Sequence, residues 1–375
     1  MALRKYKLGE LIERSTINNK DLKYGTDLIV GVNNEGLFTK PKGNPMDVDL
    51  KPYKLVNNGA FVYNPTRIDL GSLAYRTEGF CIVSHLYIIF YLNDKGKELI
   101  DPYYLYIYFH RDEFHREVTF RNFGSQRPEF SFSDMADLSI TLPSLDIQRK
   151  YVAVYLAMQD NLAAYQSKVD ELKTVCDGYM DKLKKTAAIA QLKDYIEPCE
   201  ERNSEGIYTL ENLRGVSIEK KFINTKADMK DVSLLPYTIV RPNYFSFVPV
   251  TSRNGGKITL AFNDTDETYI VSSAYNVFRI KDVDSLLPEY LFMFFNRPEF
   301  DRYARFHSWG SAREVFTMDD MNEVKIPIPD ISVQREIVNI HKCYLERQRI
   351  AEELKAQINR MCPVLIKGSL ETSKE

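Results

Sequence analysis

Residues 138–152 read LSITLPSLDIQRKYV, and residues 324–338 read VKIPIPDISVQREIV. A short apolar strand, a proline, a spacer, Gln-Arg and the opening of a helix therefore occur twice, 186 positions apart. Extended outward at that offset, Leu99–Val152 lies over Ser285–Val338 without a gap, and 20 of the 54 positions are identical. Pro102, Tyr104, Leu105, Phe109, Arg111, Glu113, Phe114 and Arg116 fall on Pro288, Tyr290, Leu291, Phe295, Arg297, Glu299, Phe300 and Arg302. Gly124-Ser125, Arg127, Phe130, Asp134-Met135 and Pro143 meet Gly310-Ser311, Arg313, Phe316, Asp320-Met321 and Pro329. Solenoid units run to roughly 20–50 residues, so a period this long marks a duplicated module instead.

Each copy closes on a long heptad-patterned stretch. No proline occurs between Pro143 and Pro198. Positions stepping by four and three read Tyr151, Tyr155, Met158, Leu162, Tyr165, Val169, Leu172, Cys176, Tyr179 and Leu183. In the second copy they read Ile337, Ile340, Tyr344, Arg347, Ala351, Leu354, Ile358, Met361 and Leu365, apolar at all but Arg347. An apolar period of 3.5 sustained over four or more heptads predicts a coiled-coil seam. Two helices of roughly 40 residues, about 60 Å long at 1.5 Å per residue, follow. Gly178 weakens the first locally, by about 1 kcal/mol relative to Ala. Such a stripe needs a partner, and the other copy's stripe is available. Near-identical modules pair about a two-fold axis as isologous dimers do; a two-fold perpendicular to the helices makes them antiparallel. The alternative is a helical hairpin packed on its own domain.

The expected fold is α+β: two tandem mixed α/β domains related by a pseudo-two-fold, separated by two long antiparallel coiled-coil helices. The expected boundaries are a first domain at 1–145, a first spacer helix at 146–190, a second domain at 191–331 and a second helix at 332–375. Strand-like runs lie at Phe80–Asn93 and Thr268–Ile280, helices begin at Pro102 and Pro288, where proline suits a first turn, and 33–52 and 57–72 read as loops.

With 375 residues, 44% hydrophobic and 27% charged, the composition is that of a folded globular chain. Apolar runs stay far below the roughly 20 residues a membrane helix needs, and the N-terminus lacks the apolar core of a secretory signal, so a cytoplasmic protein without a membrane partner is expected. The five cysteines are scattered without a CxxC pair, which predicts neither a disulfide framework nor a zinc site. Fifty Lys+Arg stand against 52 Asp+Glu, and the balance lends no support to a basic nucleic-acid stripe. Catalytic signatures are missing too. Gly31 and Gly36 have phosphate-loop spacing but are followed by Leu37-Phe38, GxGxxG does not occur, and Asn64-Pro65-Thr66-Arg67 departs from the Asn-Pro-Pro-aromatic motif of amino-methyltransferases. Glu171-Leu-Lys173 and Glu353-Leu-Lys355 have a nuclease-like spacing, but both fall on the predicted helices, where solvated charge pairs are expected. His110 and His115, five apart, sit on different helix faces. No catalytic residue, metal or cofactor is expected.

The duplication, the strand–Pro–Gln-Arg element and the two long helices together resemble the specificity (S) subunit of type I restriction-modification systems, and the resemblance covers essentially the whole chain. FVYNPTRIDLGSLAYR and FVPVTSRNGGKITLAF look like its target-recognition segments. The resemblance implies a non-catalytic chain whose two globular target recognition domains each read one half of a bipartite, asymmetric site in double-stranded DNA. It further implies helices that set the spacing and dock two methyltransferase subunits, with restriction subunits joining the full complex. A two-headed scaffold binding proteins instead of DNA is the alternative.

Under that reading, loop side chains able to meet bases or phosphates are the candidates. They are Asn64, Arg67, Arg76, Arg121, Ser125, Gln126 and Arg127 in the first module, and Arg253, Asn254, Lys257, His307, Ser311 and Arg313 in the second. Gly124-Ser125 and Arg127 match their counterparts in a module that should read other bases, which suits backbone contact or folding better than discrimination. Lys182, Lys184 and Lys185 are expected to be solvated, and Tyr195 and Leu345 are candidate off-seam contacts to a methyltransferase.

Overall fold

The computed structural model describes residues 3–41, 43, 48–122, 129–225, 229–230, 232–251, 256–310 and 313–374. It divides into two compact units, Met1–Tyr165 with Arg349–Glu375, and Gln166–Gln348.

In the first unit a four-stranded antiparallel sheet runs in the order Ile12–Ser15, Ile88–Leu92, Phe61–Tyr63, Leu73–Tyr75. Phe61 faces Phe90 across one strand pair and Tyr75 across the other. Phe61 and Phe90 stack at 5.1 Å, with Phe109 edge-on to both, so aromatic packing supplies much of this core. Helices Pro102–Phe109, Asp112–Arg121 and Phe132–Asp137 cover the sheet. Asp101 caps the first of these through the Tyr103 amide, with Pro102 at its first position. Arg4–Lys7 pairs with Ser139–Leu142, which leads into the first long helix. The second unit repeats this plan. Its sheet runs Ile196–Pro198, Asn276–Ile280, Phe245–Phe247, Leu260–Phe262, covered by Pro288–Phe295, Pro298–Phe306 and Met318–Asn322.

Two local expectations differ from what is observed. Each of the runs 80–93 and 268–280 is two strands, because Ser84 and Ser272 open turns that close on Tyr87 and Tyr275. The stretch 57–72 is not all loop: Phe61–Tyr63 is a fully buried interior strand, too short to show an alternation.

The long helices are Leu145–Thr186 and Ile331–Thr372, 42 residues each. Their first turns are fastened by the repeated glutamine, which is fully buried in both copies. Gln148 Oε1 accepts from the Asp101 amide at 3.0 Å, while Nε2 donates to the carbonyls of Leu99 (2.8 Å) and Pro143 (2.9 Å). Gln334 does the same with the Leu287 amide (2.9 Å) and the Ser285 and Pro329 carbonyls (3.0 and 2.9 Å). The Pro-to-Gln spacing is thus the reach of one side chain back to the strand exit and across to the next helix.

Within each unit, one copy's helix lies against the other copy's. In the first, the Tyr151 hydroxyl bonds Thr372 at 2.8 Å and its ring packs on Gly368, while Tyr155 adjoins Cys362; rising numbers on one helix meet falling numbers on the other, so the pair is antiparallel. Tyr155, Leu162, Ala351 and Ile358 are buried there, and Tyr151, Met158, Tyr165 and Leu354 half-buried. In the second, Asp177 adjoins His341, and Met180 and Leu183 share a core with Ile337. Val169, Leu172, Ile340 and Tyr344 are half-buried. The heptad reading drifts at the helix ends. Met180 is buried and Tyr179 exposed, and Cys362, Leu365, Ile366 and Ser369 join the first module's core. A straight α-helix moves about 20° per heptad against a 3.5-residue repeat, and against a globular core the 3.6-residue face prevails. Pro363 lies inside this segment without ending the helix.

Candidate nucleic-acid interface

In the first module the chain leaves the Phe61–Tyr63 strand at Asn64 and returns at Leu73. Asn64 Oδ1 accepts from the Thr66 amide (3.1 Å) and hydroxyl (2.9 Å), an Asx turn that sets the loop. Arg67 precedes a 3-10 turn, Ile68–Leu70, which packs against the helix Asp112–Arg121. Among the described residues its exposed guanidinium has no hydrogen-bond or ion-pair partner. The Phe130 amide donates to the Pro65 carbonyl at 2.9 Å, so Phe130 sits beside this loop. Arg121 ends the helix and pairs with Glu117 (2.9 Å) and Asp137 (3.7 Å). Arg76 is turned inward: its guanidinium sits 5.2 Å from the Phe38 ring and reaches the Phe80 carbonyl at 3.4 Å.

The second module brings together the equivalent segments. The Phe316 amide donates to the Pro249 carbonyl at 2.9 Å, and the Thr251 amide and hydroxyl both donate to the Glu314 carbonyl, at 2.9 and 3.2 Å. Lys257 is exposed and pairs with Glu219 at 3.2 Å. His307 caps the helix Pro298–Phe306 with its ring 4.2 Å from that of Tyr303. Arg313 is exposed, without a hydrogen-bond or ion-pair partner among the described residues, while Arg305 pairs with Glu314. Ser125, Gln126, Arg127, Arg253, Asn254 and Ser311 lie outside the described residues. In both modules, then, described residues that flank candidate loops far apart in sequence, Pro65 with Phe130 and Pro249 with Phe316, are hydrogen-bonded to each other. Among the described residues Arg67 and Arg313 are without a partner there, whereas Arg76, Arg121 and Lys257 are engaged within the protein.

Sequence reasoning missed how the modules differ just behind this face. Gly36 and Lys220 occupy the same place in equivalent hairpins, both with positive φ (72° and 57°). At Gly36 a Cβ would come 2.2 Å from His110 Nε2 and 2.7 Å from the Leu73 carbonyl, so glycine lets the imidazole close in. His110 donates from Nδ1 to the Tyr106 carbonyl (2.8 Å), and burial holds its pKa down at about 4. At the second site the space receives the Lys220 side chain, whose ammonium meets Asp301 at 2.7 Å and the Phe295 carbonyl. Burial lowers the Lys220 pKa and the Asp301 hydrogen bond opposes this. Also missed were the exposed aromatics Phe120, Phe306 and Trp309, although the repeat superposes the first two. On the helices, Lys182, Lys184 and Lys185 are exposed, as is Leu345. Tyr195 lies beyond the first helix, half-buried against the second core, so it is not a helix-surface position. Among the described residues no group of His, Cys, Asp and Glu is placed to hold a metal ion, and no helix is long and apolar enough to cross a membrane.

A twice-repeated mixed module, each copy ending in a long helix, defines the class. The sequence matches the type I restriction modification DNA specificity domain over residues 4–168 and again over 217–360, and the chain belongs to that family, with a role in DNA recognition. Its fold is similar to that of a type I restriction-modification S subunit from M. genitalium (12% identity, TM-score 0.59, covering 98% of this chain and 96% of that one). It is also similar to a chain from a study of complex assembly and conformational transition of a type I R-M system (17% identity, TM-score 0.50, covering 98% and 97%). No curated protein matches the chain significantly.

Proposed function

We propose that this chain is the non-catalytic specificity subunit of a type I restriction-modification complex. Its two target recognition domains, taken as 1–145 and 191–331, each read one half of a bipartite, asymmetric duplex site. The observation that supports this most directly is the same backbone bond in each module, Phe130 on Pro65 and Phe316 on Pro249, which joins residues flanking the sequence-distant candidate loops. The modules differ in those loops and behind them, at Gly36 and Lys220, so the two half-sites should differ. The spacer segments, taken as 146–190 and 332–375, are built on the long helices Leu145–Thr186 and Ile331–Thr372, their pairing supported by the antiparallel contacts within each unit. Half-sites separated by about one DNA turn, ~34 Å, suit helices of this length. Base methylation requires extruding the base into a pocket, which here belongs to docked methyltransferase subunits, two by the symmetry of the repeat; restriction subunits complete the complex. Those partners also supply much of the phosphate contact that a net charge of -2 does not. On this reading the protein works in the cytoplasm.

Selection from a random duplex pool with the chain and its co-expressed methyltransferase tests this reading. Enrichment of two different half-sites at one fixed separation is expected; a single undivided motif, or none, refutes it. Arg67→Ala should weaken cognate binding at fixed salt, and unchanged affinity removes Arg67 from the interface.

A further inference from the structure

Three large aromatic side chains stand in solvent at the edge just described: Phe120 (82% exposed), Phe306 (73%) and Trp309 (68%). Phe120 and Phe306 occupy the same repeat position, each in the last turn of its helix, Asp112–Arg121 and Pro298–Phe306. Single exposed apolar residues are ordinary on protein surfaces. A phenylalanine left in water at one equivalent point of two diverged modules is a shared feature and asks for a shared use. Trp309, the chain's one tryptophan, is fixed at its backbone. Its backbone exchanges hydrogen bonds with Val315 (3.2 and 2.9 Å). Gly310 has φ 142°, and a Cβ there would come 2.1 Å from the Arg313 carbonyl. An aromatic ring carried on an anchored backbone loses little conformational entropy on binding.

We propose that Phe120 in the first module, and Phe306 with Trp309 in the second, are apolar wedges that enter a base step of duplex DNA and unstack it. The proposal rests on the DNA-recognition reading above and adds the contact that does not depend on sequence. Charge complementarity selects the occupant. Arg313 stands four positions after Trp309, and Arg67 lies on the loop packed against the helix that carries Phe120; neither guanidinium has a partner among the described residues. Free cations beside exposed π faces match a ligand in which phosphates flank stacked bases. A wedge can part any step, which suits residues common to two modules that read different bases.

The single tryptophan allows a direct test. The full-length chain is titrated with a random-sequence duplex carrying 2-aminopurine at scattered adenine positions, at fixed low salt. Trp309 emission should be quenched and 2-aminopurine emission should rise as steps unstack. Phe120→Ala and Trp309→Ala should each lower duplex affinity on the order of tenfold. Both should diminish the 2-aminopurine signal, while leaving the salt slope and the thermal midpoint unchanged, because no phosphate contact and no core packing is lost. Trp309→Phe should retain most of the affinity. If wild type binds the duplex and the alanine variants bind equally well, or Trp309 emission is unmoved at saturation, the wedge is wrong while the recognition reading stands. If the variants lose methyltransferase capture with duplex affinity unchanged, the surface belongs to that protein and the wedge is again refuted. Absence of duplex binding by wild type, alone and together with its co-expressed methyltransferase, refutes both.

Discussion

Removing the Gln148 side chain probes the reading of the repeated Pro-to-Gln element most sharply. The Gln148→Ala variant deletes three hydrogen bonds and leaves the Leu99 and Pro143 carbonyls and the Asp101 amide without their partner in a fully buried site. Each unsatisfied buried group costs about 1–3 kcal/mol, so a loss of about 4 kcal/mol is expected after some water enters the vacated space. For a unit of this size that is about 8–16 °C in the thermal midpoint. Gln334→Ala should cost the second unit a similar amount, because its three bonds repeat those of Gln148. Gln148→Glu keeps the shape but turns an oxygen toward two carbonyls, so the carboxyl must stay protonated. Its pKa is raised in the folded state, and its deficit relative to wild type should shrink as pH falls toward 4 and grow as pH rises through neutrality. Urea unfolding of each variant at pH 5 and pH 7.5 reads both effects. Losses under about 1 kcal/mol in both alanine variants would show that the glutamines are not clamps and that the Pro–Gln spacing has another cause.

Three further outcomes follow from the buried polar groups. His110 and His341 are each held by burial at a pKa of about 4, below the ordinary 6.5, with Asp177 opposing the shift at His341. The unfolded chain therefore takes up these protons first, and stability is fully present above pH 6.5 and falls as pH drops from there toward 4, by up to about 3 kcal/mol per group. His110→Asn, which installs the residue found at the repeat position of the second module, should flatten the pH dependence of the urea midpoint; an unchanged slope counts against a neutral buried imidazole. Asp301→Ala, by leaving the Lys220 ammonium buried and unpaired, should cost about 3–5 kcal/mol. Lys220→Met with Asp301→Leu should restore part of that loss, and a double variant as poor as the single one would contradict an uncompensated charge as the cause. Gly36→Ala drives a Cβ into His110 Nε2 and the Leu73 carbonyl at positive φ, and a thermal midpoint within 2 °C of wild type would mean the hairpin does not close on the imidazole as described.

The repeat was fully legible in the chain, because identical residues at a fixed offset need no knowledge of contacts. So were the two helices, whose apolar spacing reports one face of a local structure, and the prolines that open Pro102–Phe109 and Pro288–Phe295. The three-residue strand Phe61–Tyr63 escaped notice: alternation cannot be read over so few residues, and only pairing with Phe90 and Tyr75 gives it meaning. The two halves of the candidate interface were each visible as polar loops. Nothing in the order of residues says that the loop at 64–72 lies beside the segment at 130, since that contact is made by single backbone hydrogen bonds between amides every residue carries. The same holds for Lys220 and Asp301, 81 positions apart. The largest such effect concerns the end of the chain: Cys362, Leu365 and Ile366 complete the core of the first module, not the second. Periodicity declares that a helix face will be buried; which surface buries it is chosen by complementary shape and by the chain's return path, and those exist only once the whole molecule has folded.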